Sequence, residues 1–271
     1  MSLRILSGNA LQTQISADDR GLNYGDGVFE TLLVHEGQLV WWREHWDRLL
    51  RGAQVLGIPE PDEMRLRKEA EFLVAGEARA VLKIVLTRGV GGRGYATSPN
   101  AVPTVVLSRH AAPARTSSGL NVCWCRTALA IQPALAGIKH LNRLEQVLAR
   151  AEWNDPLIHE GMMCDTEGLV VGATSANVFA RVNGRWLTPK VNRCGIAGVA
   201  RAWLLEHLDV AAEVDLRPFD LRHAEAIFLC NSVRGILPVT RLADKRWEPS
   251  AEIEAAQQLL GLKLPAFERQ E

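Results

Sequence analysis

Strand-forming and helix-forming runs follow one another along this chain without a repeating order, and that irregularity limits the fold more than any other feature. Residues 27–35 form a β-branched run closed by Glu36-Gly37, and a second run follows over Gln38–Trp42, which together predict a hairpin. Trp46, Leu49, Leu50 and Ala53 then recur at helical spacing up to Gly57-Ile58-Pro59, with Arg48 beside the apolar stripe. A second amphipathic helix is expected over about 62–75, with strands over 80–87 and 103–109. Further strands (120–125, 169–171, 177–182, 185–188, 226–230) mix with helices over about 142–153, 197–208 and 251–260. Regular βαβ repetition and an all-β chain are both excluded, so the expected class is α+β with two unequal domains. The expected division is a small N-terminal α/β domain over 1–110, a linker over 111–118 (Ala-Ala-Pro-Ala-Arg-Thr-Ser-Ser) and a larger domain over 119–271.

Composition removes several function classes. The 31 acidic and 31 basic side chains balance, and no basic stripe suits nucleic acid. No apolar run reaches membrane-spanning length, and the N-terminus does not read as a signal peptide. The five cysteines, Cys123, Cys125, Cys164, Cys194 and Cys230, are odd in number and form no Cys-x-x-Cys pair, which points to a reducing, cytoplasmic setting. His159-Glu160-x-x-x-Cys164-Asp165 lacks the spacing of a zinc helix, so no metal is expected.

Gly89-Val90-Gly91-Gly92-Arg93-Gly94 formally fits a dinucleotide fingerprint after a strand. The following Tyr95-Ala96-Thr97-Ser98-Pro99 does not start a helix, and no acidic residue stands about twenty positions on, so that reading is rejected. The segment reads instead as a glycine-rich loop presenting Arg93 and Tyr95, an arginine fork being suited to a carboxylate. Cys194-Gly195-Ile196-Ala197-Gly198 leads into an apolar helix, where backbone N–H groups and the dipole favour a phosphate. Cys230-Asn231-Ser232-Val233 follows a strand and offers a hydroxyl and an amide to the same anion.

Lys139 is one of only six lysines, and it sits among small and apolar residues beside Gly137, at the entrance of the helix expected over 142–153. Its competitors lie in charged or terminal settings, except Lys83, which interrupts the strand Val81–Leu86, and Lys190 at a strand end. A lysine attacks a carbonyl only as the neutral amine, and desolvation favours that form. The competing reading is a surface lysine with its stem laid along apolar neighbours.

Five segments, in order, resemble the fold-type IV pyridoxal-phosphate enzymes, the family of branched-chain and D-amino-acid aminotransferases. They are Asn23–Glu30, His45-Trp46-Asp47-Arg48-Leu49, the Lys139 segment, Ser175-Ala176-Asn177-Val178-Phe179 and Gly195-Ile196-Ala197-Gly198. Thr87–Tyr95 and the thirteen-residue run Ala136–Leu148 are more specific and are similar to the 4-amino-4-deoxychorismate lyases within that family. The resemblance implies a two-domain fold-type IV enzyme in which Lys139 bonds covalently to pyridoxal 5'-phosphate. It implies that Arg48, the Ile196 and Ala197 amides and Ser232 hold the phosphate, in a site between the domains completed by a second subunit of a homodimer.

The implied reaction turns 4-amino-4-deoxychorismate into 4-aminobenzoate and pyruvate, a step of folate synthesis. Arg93 and Tyr95 are the candidates for the substrate carboxylates, with Asn142 and Asn231 also lining the site. One departure stands out. Where the family carries a glutamate facing the pyridine nitrogen, this chain has Gly172. Two alternatives remain beside the lyase: a D-amino-acid or branched-chain aminotransferase of the same fold, and a catalytically silent small-molecule-binding domain.

Overall fold

The computed structural model describes residues 2–114, 119–208 and 211–268, and the chain divides into two compact units. The first holds residues 1–113 together with Ile138–Asn142, and the second holds 114–137 and 143–271. This differs from the expected division in placing 138–142 with the first unit. The expected linker begins inside a strand at Ala111, and its residues 115–118 lie outside the described residues.

In the first unit the elements run β1 (Leu3–Ser7), β2 (Ala10–Gln12), α1 (Arg20–Tyr24), β3 (Gly27–His35), β4 (Gln38–Leu39), α2 (Trp42–Leu56), α3 (Glu63–Val74), β5 (Arg79–Thr87) and β6 (Thr104–Ala111). One antiparallel sheet takes the order β2-β1-β6-β5-β3-β4. Val28, Leu32 and Val34 alternate onto the face that meets Trp46 and Leu49 of α2 and Leu66 and Leu73 of α3. The hairpin's second strand is shorter than expected. Trp41 turns left-handed at φ 57° and starts α2, which ends at Gly57 with φ 66°.

The segment 138–142 joins this unit by edge pairing. The Phe29 amide donates to the Lys139 carbonyl and the Leu141 amide to the Gly27 carbonyl, both at 2.9 Å. The first half of β3 has β5 on one side only, since β4 pairs only with Val34 and His35. Residues 138–142 take up backbone groups that this edge would otherwise leave open.

In the second unit follow β7 (Leu120–Trp124), α4 (Leu144–Arg150), β8 (Glu160–Cys164), β9 (Val170–Ala173), β10 (Asn177–Val182), β11 (Arg185–Pro189), α5 (Val199–His207), β12 (Ala212–Val214), α6 (Pro218–His223), β13 (Ala226–Asn231), β14 (Gly235–Leu242), β15 (Lys245–Arg246) and α7 (Ala251–Lys263). The larger sheet runs β12-β11-β10-β13-β14-β7-β8-β9, with β15 on β14, and curls so that β9 packs on β10. Its core includes Met162, Val178, Ile227, Leu229 and Val239. Phe228 stacks on Phe179 and meets Trp186 edge-on. The fold class is thus α+β, as expected.

Candidate active site

Lys139 sits in the extended segment that pairs with β3, not at a helix mouth; α4 starts only at Leu144. Its Nζ stands 4.3 Å from the centroid of the Phe29 ring, so the amine rests on an aromatic face. Gly52 lets α2 lie close on β3, and Gly27 lets the Lys139 segment lie close on the same strand. A Cβ on Gly52 would come to 2.9 Å from Val28 of β3, and one on Gly27 to 2.7 Å from Leu141.

Arg48 is buried, and its guanidinium forks onto Glu30, with Nε–Oε1 at 2.7 Å and Nη2–Oε2 at 2.5 Å. His45, one turn earlier on α2, meets the same carboxylate through Nδ1 at 2.6 Å. Glu30 and His45 are each only 1% exposed. Burial alone would raise the Glu30 pKa, but the Arg48 cation and the hydrogen bonds from Arg48 and His45 outweigh it and hold it at about 2. Burial pushes the His45 pKa down. Glu30 opposes that shift, and the Arg48 and Lys139 cations add to it. His45 is therefore neutral, Nδ1–H donates to Glu30, and Nε2 carries the lone pair. That Nε2 is buried with no hydrogen-bond partner among the described residues.

Neither Glu30 nor His45 was expected at the site. Glu30 was visible as the one charge on the apolar face of β3, between Val28 and Leu32. Its partners on α2 become known only once that helix is docked. Both groups have lower pKa values folded than unfolded, so both make the fold less stable on acidification. His45 begins to cost as pH falls below 6.5, and the Glu30 share is lost between 4.5 and about 2. Glu30→Gln leaves the buried Arg48 charge uncompensated and is expected to cost about 3 kcal/mol at neutral pH. Urea unfolding at pH 7 measures this, and an unchanged midpoint there would refute the ion-pair account.

In the second unit, the turn before α5 is built by glycine. Gly195 has φ 86°, and a Cβ on Gly198 would lie 2.1 Å from Asn177 Oδ1. Asn177 fixes the turn by donating Nδ2 to the Ile196 carbonyl at 2.9 Å. Gly198 caps α5 without any side-chain hydrogen bond. The Ala197 amide, expected to meet a phosphate, donates to the Gly137 carbonyl at 2.9 Å, so an anion there competes with a bond already made. A parallel bridge of Gly137 with Ile196 explains this, because its ladder takes the amide of the following residue.

Ser232 lies in the turn between β13 and β14. Asn231 holds that turn: its Oδ1 accepts from the Val233 and Arg234 amides at 3.1 and 2.8 Å, and its Nδ2 donates to the Ser175 carbonyl at 3.3 Å. Asn231 Oδ1 and one Nδ2 hydrogen thus tie this turn to Ser175. Asn142 donates Nδ2 to the Gly25 carbonyl at 3.2 Å. Arg93 and Tyr95 are exposed on the glycine-rich loop, Tyr95 at 87%. No helix opens after that loop, which agrees with rejection of a dinucleotide site.

Gly172 pairs with Met163, so the two share a sheet face. Glu160 is three residues from Met163 and projects to the other face, where it accepts from the Thr174 and Ser175 hydroxyls and the Gly161 amide. It does not take the place of a side chain at 172.

The description Amino-transferase class IV matches residues 27–242. The chain is 35% identical over 240 residues to an aminodeoxychorismate lyase of Vibrio harveyi, covering 86% of this chain and 89% of the relative. It is 26% identical over 252 residues to a D-alanine aminotransferase of Staphylococcus epidermidis, covering 86% of each. The crystal structure of 4-amino-4-deoxychorismate lyase from Pseudomonas aeruginosa superposes with a TM-score of 0.89 at 40% identity, over 96% of this chain and 99% of that one. With the match spanning most of its length, the chain belongs to the amino-transferase class IV family.

Proposed function

We propose that this chain cleaves 4-amino-4-deoxychorismate to 4-aminobenzoate and pyruvate, with pyridoxal 5'-phosphate as cofactor. The observation that carries the reading is the run Ala136–Leu148, whose Lys139 rests on the Phe29 ring while its backbone is locked to β3. The residues present suit the cofactor. The buried Arg48 cation and the uncapped start of α5 suit a phosphate, and Ser232 adds a hydroxyl at a turn. Arg48, the Ile196 amide and Ser232 would hold the phosphate, and Lys139 would carry the cofactor. When bound, pyridoxal phosphate supplies an electrophilic carbonyl for the substrate amine and acidifies the adjacent C–H.

The remaining steps belong to the protein. Glu30 keeps Arg48 oriented, with His45 held neutral beside it. The Lys139 Nζ, as the neutral amine, takes the proton from the ring carbon bearing nitrogen. The C–O bond to the enolpyruvyl group on the neighbouring carbon then breaks, the ring becomes aromatic, and Nζ returns a proton as pyruvate forms. Arg93 and Tyr95 receive the substrate carboxylates. The test is formation of 4-aminobenzoate and pyruvate in equal amounts by purified enzyme; release of neither would end the reading. The product places the enzyme in folate synthesis.

The working unit is a homodimer, and the enzyme is cytoplasmic. All five cysteines are unpaired thiols, and no described helix is long and apolar enough to cross a membrane. On α4, Leu144, Val147 and Leu148 form an exposed stripe at i, i+3 and i+4, a surface suited to a second copy. Light scattering should give the mass of two chains, and Leu148→Asp should shift it toward one. A fully active monomer at assay concentration would rule the dimer out.

A further inference from the structure

The loop that presents Arg93 and Tyr95 has four glycines in the six residues 89–94 and few side chains of its own to fix its path. Arg20, the first residue of α1, fixes it from outside. This arginine is 4% exposed. Its Nη1 donates to the Gly94 carbonyl at 2.9 Å and the Ala96 carbonyl at 3.3 Å, and its Nη2 donates to the Tyr95 carbonyl at 3.2 Å. Three successive carbonyls are thus gathered by one guanidinium. Tyr24, one turn along α1, accepts at its hydroxyl from the Gly94 amide at 3.1 Å. Its ring lies 4.8 Å from the Arg20 guanidinium and meets Tyr95 edge-on at 5.7 Å.

The grip is anchored behind the loop. Arg20 Nε is 2.9 Å from Asp26 Oδ2, and Arg88 holds the same carboxylate at 2.7 and 3.1 Å. Arg88 also donates to the Leu56 and Gly57 carbonyls at the end of α2. The chain of contacts therefore runs from α2 through Arg88, Asp26 and Arg20 to the loop. Gly91 completes the fit, because a Cβ there would stand 2.6 Å from Arg20 Cδ. A lysine at position 20 could pair with Asp26 but has no planar fork to span three carbonyls.

We propose that Arg20 is a positioning residue for the substrate: it sets the path of residues 91–96 and so the placement of Arg93 and Tyr95 against the substrate carboxylates. It acts through the loop and touches neither substrate nor cofactor. This rests on the lyase reading for what the loop meets, while the clamp itself rests on the contacts alone.

The test uses holoenzyme carrying Arg20→Lys, with Tyr24→Phe as a milder companion that keeps the guanidinium. Hydrogen exchange without substrate should rise about tenfold in the amides of 91–97 in Arg20→Lys, with β3 and β5 unchanged. KM should rise roughly tenfold or more while kcat stays within about threefold, the signature of lost placement without lost chemistry. Tyr24→Phe should move both readouts the same way by about two- to threefold. Unchanged loop exchange, or a fall in kcat at constant KM, overturns the proposal. Should Arg20→Lys fail to fold, Tyr24→Phe with wild-type exchange and KM overturns it equally. If the wild type showed no lyase turnover, the functional reading would fall, and loop exchange would still decide for or against the clamp.

Discussion

Lys139→Ala is expected to lose at least about 10⁴-fold in turnover, because in the proposed reaction one amine both carries the cofactor and moves the proton, and a positioned base alone is worth about 10²–10⁴. The substitution should leave the fold intact. The bonds that place the segment run from the Phe29 amide to the backbone carbonyl of residue 139 and from the Leu141 amide to Gly27, and a side-chain change spares both. Borohydride treatment of wild-type holoenzyme should fix the cofactor mass on the peptide containing Lys139, and the variant should show no such adduct. The informative competitor is Lys83. It is exposed on β5 with its Nζ 5.5 Å from the same Phe29 ring. Reduced cofactor on Lys83 in the wild type, or near-normal turnover by the variant, would remove Lys139 from its role.

The parts of this molecule that were legible in sequence are those governed by local periodicity. The β-branched and apolar runs over 27–35 and 80–87 gave β3 and β5, and the stripe Trp46-Leu49-Ala53 gave α2 to its glycine end. Other elements hid for physical reasons. Among them, α1 is five residues long, too short to show a helical period. β14 carries Pro238 paired with Phe228 in its interior, and proline normally argues against a strand. β8, Glu160–Cys164, has a glycine and two methionines in place of β-branched residues, and its ends looked like scattered metal ligands. α4 is shorter than the expected 142–153, since residues 138–142 spend their backbone groups on β3 and the helix begins at Leu144.

At the site, residue identities were more legible than their bonding. Arg48 was visible beside its stripe, but the Glu30 fork and the buried His45 depend on two elements brought together by packing. Asn231 and the Ala197 amide read as groups open to a ligand, and each also makes a tertiary hydrogen bond, to the Ser175 and Gly137 carbonyls. Such bonds have no periodicity, which is why a sequence exposes the donor and conceals its partner.

The native enzyme should make 4-aminobenzoate at a rate at least about a thousandfold above its transamination of D-alanine or branched-chain amino acids, a barrier gap of roughly 4 kcal/mol. Gly172 is the source of this difference. Transamination must hold developing negative charge until a proton returns at a different atom, and a carboxylate facing the pyridine nitrogen supports that. The lyase expels a leaving group from the next carbon and gains an aromatic ring, so its demand for such support is smaller. Gly172 offers no carboxylate, and Glu160 on the neighbouring strand points to the other sheet face with its oxygens bonded to Thr174, Ser175 and Gly161. Space at residue 172 is tight, since a Cβ would lie 2.9 Å from the Ala176 carbonyl oxygen. Gly172→Ala therefore serves as the folding control, and Gly172→Glu, where it folds, should raise transamination relative to lyase turnover. Comparable native rates on both substrate classes would defeat this account. So would a holoenzyme structure with another carboxylate bonded to the pyridine nitrogen, because the empty position at 172 would then carry no chemical consequence.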